Sequence, residues 1–317
     1  MLSKYIKKLF GMVFVSKKMR LLVFVFLSVL FISSISIITF LILKNGPTEG
    51  PTLVLFTEYG PLTDDVIDFM RHSSSFLYVS SLDVSHPSII SCLKELNEKG
   101  IDVRILAEKP VVNLPCKIDA SSGLHHVKFM VNDLGVLFGS ANFSVSGLES
   151  GLNDIIVFPS KYVPIFKEFF LNAWEYGRIE KVKDFYVSPI DKTEEFVLSL
   201  AQNARKRIWI CVYSFTDANL LASLKLKESQ GVDVKIVTDK WFRSSQIFKY
   251  YKDQVRIIDK RMLHHKFMIV DNTLITGSTN YTESGFHKNV EMFWKTNDRR
   301  FIESYEKVFL ELFNRSE

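Results

Sequence analysis

The sequence is poor in cysteine. Three occur in 317 residues, Cys92, Cys116 and Cys211, and no C-x-x-C spacing is present. Three thiols cannot all pair within one chain, which argues against a disulfide framework and against a cysteine-based zinc site. Cys92 falls in an apolar helical pattern and Cys211 in a strand pattern, where each reads as a small core hydrophobe. Acid is missing from residues 1–20, and charge of either sign is missing from Leu21 to Leu43. The composition of a disordered chain is also missing. Hydrophobic residues make up 47% and charged residues 24%, and 27 phenylalanines provide core material for one large domain or two ordinary ones.

The charge is unevenly placed. Lys4, Lys7, Lys8, Lys17, Lys18 and Arg20 precede the uncharged run and Lys44 follows it. That leaves 33 bases against 35 acids in residues 45–317, so the net +5 of the chain comes from its N-terminal end and the remainder is −2. A nucleic-acid-binding domain is ordinarily basic, and this one is not. Leu21 to Leu43 is 23 residues long, and about 20 apolar residues suffice for a helix to cross a bilayer. A cleavable signal has a shorter apolar region ending in a small-x-small site, and no Ala-x-Ala follows this run. The expected organisation is a basic cytoplasmic tail over 1–20, a transmembrane signal anchor over 21–43, and a Pro/Gly-rich linker over 44–52. The excess of bases before the span implies an N-terminus in the cytoplasm and the folded part on the extracytoplasmic side.

The rest is a duplication. GIDVRILAEK at 100–109 and GVDVKIVTDK at 231–240 lie 131 residues apart. Strand patterns at Leu53–Thr57 and Phe76–Ser81 are matched at Phe185–Ser188 and Ile208–Ser214. Each half ends in an aromatic amphipathic helix pattern, Tyr162–Tyr176 and Phe301–Phe313. Alternating strands and helices predict an α/β fold of mixed sheets flanked by helices, with a first half over 53–180 and a second over 181–317. Two halves of one origin pack about a pseudo-twofold axis, which brings equivalent residues to the seam.

What would meet there is the same motif twice. His126 and Lys128 are followed by Asp133 and then by Gly139-Ser140-Ala141-Asn142. His264 and Lys266 are followed by Asp271 and then by Gly277-Ser278-Thr279-Asn280. His and Lys two apart on a strand share a face. Lys offers a point charge for phosphate oxygens, and Ser and Asn offer neutral donors. Asp133 and Asp271 fall in turn-like stretches and read better as turn-locking residues than as acids or bases. Alternation puts His125 and His265 on the opposite face from their neighbours, so they read as core histidines and not as parts of a metal site.

These residues resemble the double His-x-Lys-x₄-Asp signature of the phospholipase D superfamily, over roughly residues 53–315. The resemblance implies a duplicated α/β/α domain with one active site at the seam and no cofactor or metal. It implies a phosphohistidine mechanism with His126 as nucleophile and His264 as general acid; the residues by themselves do not order the two. His126, Lys128, Asp133, His264, Lys266 and Asp271 would form the catalytic set, with Ser140, Asn142, Ser278 and Asn280 binding substrate. An acid of an Asn-x-Glu segment orients a histidine in this family. Asn289-Val290-Glu291 preserves that segment, whereas the first half reads Asn153-Asp154-Ile155, so Asp154 and Glu291 are the expected orienting acids. One chain then completes the site as a monomer. A membrane phospholipid is the expected substrate. A metal-independent nuclease or a phosphatidyltransferase of the cardiolipin synthase kind is the alternative. The stretch Lys240, Arg243, Lys249, Lys252, Arg256, Lys260 and Arg261 reads as a solvated face or as a basic lip for anions, with Trp241 and Phe242 at its start.

Overall fold

The computed structural model describes residues 50–119, 123–244 and 255–315. The expected tail and anchor, and Lys249 and Lys252, lie outside the described residues. Among the described residues no helix is long and apolar enough to cross a membrane.

The first half contributes β1 (Leu53–Phe56), β2 (Phe76–Ser81), β3 (Asp102–Ala107), β4 (Cys116–Ile118), β5 (Phe129–Asn132), β6 (Gly135–Gly139) and β7 (Asp154–Pro159). They form one sheet in the order β1-β7-β6-β5-β2-β3-β4. The second half contributes β8 (Phe185–Ser188), β9 (Arg207–Val212), β10 (Asp233–Asp239), β11 (Val255–Ile258), β12 (Lys266–Val270), β13 (Thr273–Gly277) and β14 (Glu291–Thr296). Their order, β8-β14-β13-β12-β9-β10-β11, is the same topology strand for strand. In both sheets the strands on one side of the centre run parallel and the motif strands run antiparallel, so the sheets are mixed as expected.

The central strands β2, β5, β9 and β12 are buried along nearly their whole length, which fits their near-continuous apolar runs and demands cover on both faces. On the outer face of the first sheet lie α1 (Thr63–Arg71) and α2 (Pro87–Glu98), which contribute Val66, Met70, Ile89, Cys92 and Leu93 to one apolar cluster. On the outer face of the second lie α4 (Thr193–Gln202), α5 (Ala218–Ser229) and the short α6 (Glu283–His287). Between the sheets lies a third cluster that includes α3 (Val163–Tyr176) and α7 (Arg299–Phe313). There the phenylalanine-rich composition finds its use. Phe138 and Phe158 of the first half meet Phe185 and Trp294 of the second at 5.3 and 5.4 Å, with rings tilted or edge-to-face.

Local signals set the ends of these elements. Asp217 caps α5 by accepting from Leu220 N at 2.7 Å, and Asp298 caps α7. Gly177 takes the left-handed conformation (φ 62°) that ends α3 and releases the chain toward the second half.

The seam carries a buried charge cluster that the sequence did not disclose. His265 Nδ1 bonds Asp154 Oδ1 at 2.9 Å and its Nε2 bonds Glu58 Oε1 at 2.7 Å, joining the second half to two acids of the first. Tyr305 donates to the other oxygen of Asp154 at 2.8 Å. Burial opposes a charge on His265, but Glu58 and Asp154 outweigh it and push its pKa from 6.5 up to about 9. Stabilisation from such a group is complete below the unfolded value of 6.5 and is lost as pH rises through about 9. Thermal unfolding of the detergent-solubilised chain should therefore show a melting temperature that declines across that window. The decline should be absent in His265→Gln, which should also melt lower at pH 6. A flat wild-type profile would refute a cationic His265.

Candidate active site

The motif histidines are hung on the opposite half. His126 N donates to Val290 O and Val290 N donates to Leu124 O, at 2.9 and 2.8 Å. Reciprocally, His264 N donates to Leu152 O and Leu152 N to Met262 O, again at 2.9 and 2.8 Å. These two short parallel bridges are equivalent under the repeat and cross the seam in opposite senses. They bring the imidazoles of His126 and His264 face to edge, with ring centroids 6.4 Å apart.

Each ring is pinned through Nδ1. His126 Nδ1 donates to the Glu291 carboxylate at 2.8 Å. His264 Nδ1 donates to Ser140 O at 3.1 Å and to Asn153 Oδ1 at 3.0 Å. Because a carbonyl can only accept, the His264 proton resides on Nδ1 in the neutral ring, and both Nε2 atoms are left without a partner among the described residues. Burial lowers the proton affinity of His126, partly offset by Glu291 and reinforced by Lys128. His264 is held well below its ordinary range by burial, then by Lys266, Lys128 and His126.

Lys128 and Lys266 are buried and each back-bonds to its own histidine carbonyl, Lys266 at 2.8 Å. Burial pushes Lys128 down to about 7 against the opposing pull of Glu291, and Lys266 well below its ordinary range with Lys128 adding to the effect. Two buried lysines and two imidazoles against the single carboxylate of Glu291 make a cavity that is short of negative charge. Asn142 Oδ1 accepts from Ser81 Oγ, and Asn280 Oδ1 accepts from Ser214 N. That leaves both Nδ2 donors unengaged among the described residues.

Several expected site residues do other work. Asp133 accepts from Ser74 N and Ser75 N at 2.8 Å, and Asp271 accepts from Arg205 N, Lys206 N and Arg207 N. Burial would raise both carboxyls, but these donors outweigh it and hold them below the ordinary range. They tie the turn after each motif strand to the start of β2 or β9; neither is a catalytic group. Ser140 and Ser278 are fully buried and brace acids instead of reaching substrate: Ser140 Oγ donates to Asp154 at 2.9 Å and Ser278 Oγ to Glu291 at 2.6 Å. The preceding glycines allow this approach, since a Cβ on Gly139 or Gly277 would lie 2.3 Å from a carbonyl oxygen of the neighbouring strand. Asp154 does not orient His264. Its oxygens serve Ser140, His265, Tyr305 and Thr276. The residue in that place is Asn153. It stands 14 positions after Gly139, as Glu291 stands 14 after Gly277, so the repeat register held the signal that the residue-type pattern concealed.

His125 and His265 point away from the pair, to Ser80 and to the Asp154–Glu58 cluster, so the four imidazoles do not converge. The three arginines of the basic stretch are committed. Arg243 pairs with Asp259, Arg256 lies over Phe313, and Arg261 donates to the carbonyls of Thr57, Glu149, Ser150 and Gly151. Phe242 is in the core and not at a lip. Tyr213, which sequence reading passed over, lies with its ring 5.2 Å from that of His264.

The chain is similar in sequence and in fold to several known proteins. Residues 197–313 match the family model described as cardiolipin synthase, PLD-like domain. The chain is 31% identical over 120 residues to a mitochondrial cardiolipin hydrolase of Xenopus tropicalis, covering 36% of this chain and 57% of that one. It is 27% identical over 189 residues to a phospholipase D of Rickettsia bellii, covering 57% and 91%. The second half of the chain is thus similar to PLD-like domains, and the relatives matched are a cardiolipin hydrolase and phospholipases D. It spans about half the length of the cardiolipin hydrolases it matches. Its fold is shared with the crystal structure of phosphatidylserine synthase from Haemophilus influenzae, at a TM-score of 0.64 and 12% identity over 83% of this chain and 87% of that one.

A bound oxyanion favours the charged forms of Lys128 and Lys266. Inorganic phosphate or tungstate should therefore bind with proton uptake, and its affinity should fall as pH rises above about 7, by about tenfold per pH unit for each coupled proton. Calorimetry in buffers of different ionisation enthalpy measures this directly. Binding without proton uptake at pH 8 would show that the lysines are already charged in the free site.

Proposed function

We propose that this chain is a phosphodiesterase that hydrolyses phospholipids through a phosphohistidine. The observation that carries the reading is the pair of imidazoles from opposite halves, 6.4 Å apart, each pinned through Nδ1. Two imidazoles this close, one from each half, can both approach a single phosphoryl group, and reaction begins from contacts of ~3–3.5 Å.

In this mechanism His126 Nε2 attacks phosphorus and forms a P–N bond. The P–O bond to the leaving alcohol breaks as His264 Nε2–H delivers its proton to the departing oxygen. Water then attacks the phosphohistidine, giving its proton to His264, and the P–N electron pair returns to His126. Glu291 supports this order, because attack places positive charge on the His126 ring and a carboxylate at Nδ1 stabilises it. Lys128, Lys266 and the Nδ2 groups of Asn142 and Asn280 hold the non-bridging oxygens.

A phospholipid substrate is supported by the matched cardiolipin hydrolases and phospholipases D, and by the expected anchor over residues 21–43, which would hold the site at a bilayer with the catalytic part on the extracytoplasmic side. Residues 45–317 carry no net positive charge, and the arginines that suggested a nucleic-acid lip are spent on Asp259, Phe313 and backbone carbonyls. One chain holds both motifs, so a monomer suffices.

The full chain in detergent and EDTA should release phosphatidate or free headgroup from mixed phospholipid vesicles. His126→Ala and His264→Ala should each lose about 10²–10⁴-fold or more. Cleavage of single-stranded DNA without lipid turnover would replace the substrate with nucleic acid. Headgroup exchange with an added alcohol in preference to water would make the protein a transferase. An absolute need for added metal would overturn the two-histidine mechanism.

A further inference from the structure

The two halves use one slot differently. Position 14 after each motif glycine holds a fully buried residue that meets the histidine of the other half: Glu291 for His126, Asn153 for His264. Asn153 is itself firmly set. Its N–H donates to Thr57 Oγ1 at 2.7 Å, its carbonyl accepts from Thr57 N at 3.0 Å, and Arg261 ties Thr57 O to the segment Glu149–Gly151 just before it. Its side-chain nitrogen lies 3.4 Å from Ser146 O, so Oδ1 is the atom turned to His264.

The charged groups facing His264 are all cationic or titratable to cationic: Lys266 on its own strand, Lys128 and His126 from the first half. Its remaining neighbours, the Ser140 carbonyl and the Tyr213 ring, are neutral. The nearby carboxylates are turned elsewhere. Asp154 serves His265, Ser140, Tyr305 and Thr276; Glu291 serves His126 and Ser278; Asp239 accepts from Trp241 N and Leu263 N. A carboxylate at position 153 would be the natural counter-ion for His264, and the chain has an amide there.

We propose that Asn153 is the positioning residue for His264, and that its neutral amide, opposite the carboxylate that braces His126, makes His264 the weaker base of the pair. This rests on the two-histidine reading. The consequence is chemical. A weakly held proton on Nε2 is readily given to a departing alkoxide, and a ring fixed with hydrogen on Nδ1 is ready to take a proton from water in the second step. The penalty is that fewer molecules carry that proton as pH rises, so turnover is biased to the acid side.

The test uses the full chain in detergent micelles with ¹⁵N-labelled histidine, His264 being assigned by its loss in His264→Ala. Asn153→Asp is nearly isosteric. It should raise the His264 titration midpoint by about one unit or more and carry the basic limb of kcat/KM upward with it. Asn153→Ala should lower kcat more than it raises KM, while the Ser140 carbonyl keeps hydrogen on His264 Nδ1. Glu291→Gln should lower the His126 midpoint. An Asn153→Asp chain that melts like wild type but leaves the His264 midpoint unmoved would overturn the proposal, as would an Asn153→Ala chain with an unchanged kcat. Should His126→Ala and His264→Ala retain activity, the catalytic reading falls, while the midpoints still decide what Asn153 does.

Discussion

The reciprocal backbone bridges at the seam are the constraint on which the site depends. Leu124 and His126 pair with Val290, and Met262 and His264 pair with Leu152, so each motif strand begins inside the other half. A histidine anchored only within its own sheet would owe its position to a flexible segment. Anchored across the seam, it inherits the rigidity of both sheets. The same crossing delivers Glu291 to His126 and Asn153 to His264. The aromatic cluster of Phe138, Phe158, Phe185 and Trp294 keeps the sheets in register behind the bridges. Burying each such large side chain stabilises the packed sheets by about 1.5–3 kcal/mol.

Much of this was legible before any coordinates. The repeat, the strand and helix alternation and the paired motifs fixed the α/β class and the seam, because a period-two strand pattern and a recurrent motif are local properties of the chain. The histidine–lysine pairs were legible for the same reason. What was not legible depended on partners distant in sequence. Ser140 and Ser278 looked like substrate ligands because their type suits phosphate; their buried contacts with Asp154 and Glu291 lie 13 or 14 residues downstream and on another strand. Arg261 looked like part of a basic lip, and only the approach of the segment Glu149–Gly151 from the first half shows it to be a clamp.

Asp154 is the instructive miss. As the nearest acid to the expected position it reads as the group that orients His264, whereas counting from the motif glycine of each repeat, Gly139 or Gly277, selects Asn153. Chemical type and structural register disagreed by one residue. In a strand one residue reverses the face, which is why Asp154 points into the His265 cluster while its neighbour points to the site.

The cross-bracing of the halves has a consequence for how such a chain can change. In most duplicated proteins one copy is free to drift once the other supplies the function. Here a substitution in the β14 segment is felt by the histidine of the first repeat, and one in the β7 segment by the histidine of the second. Neither repeat therefore holds its own chemistry in trust. A change that suits one half must be tolerated by the other, and paired positions such as 153 and 291 are where the two histidines become different from each other.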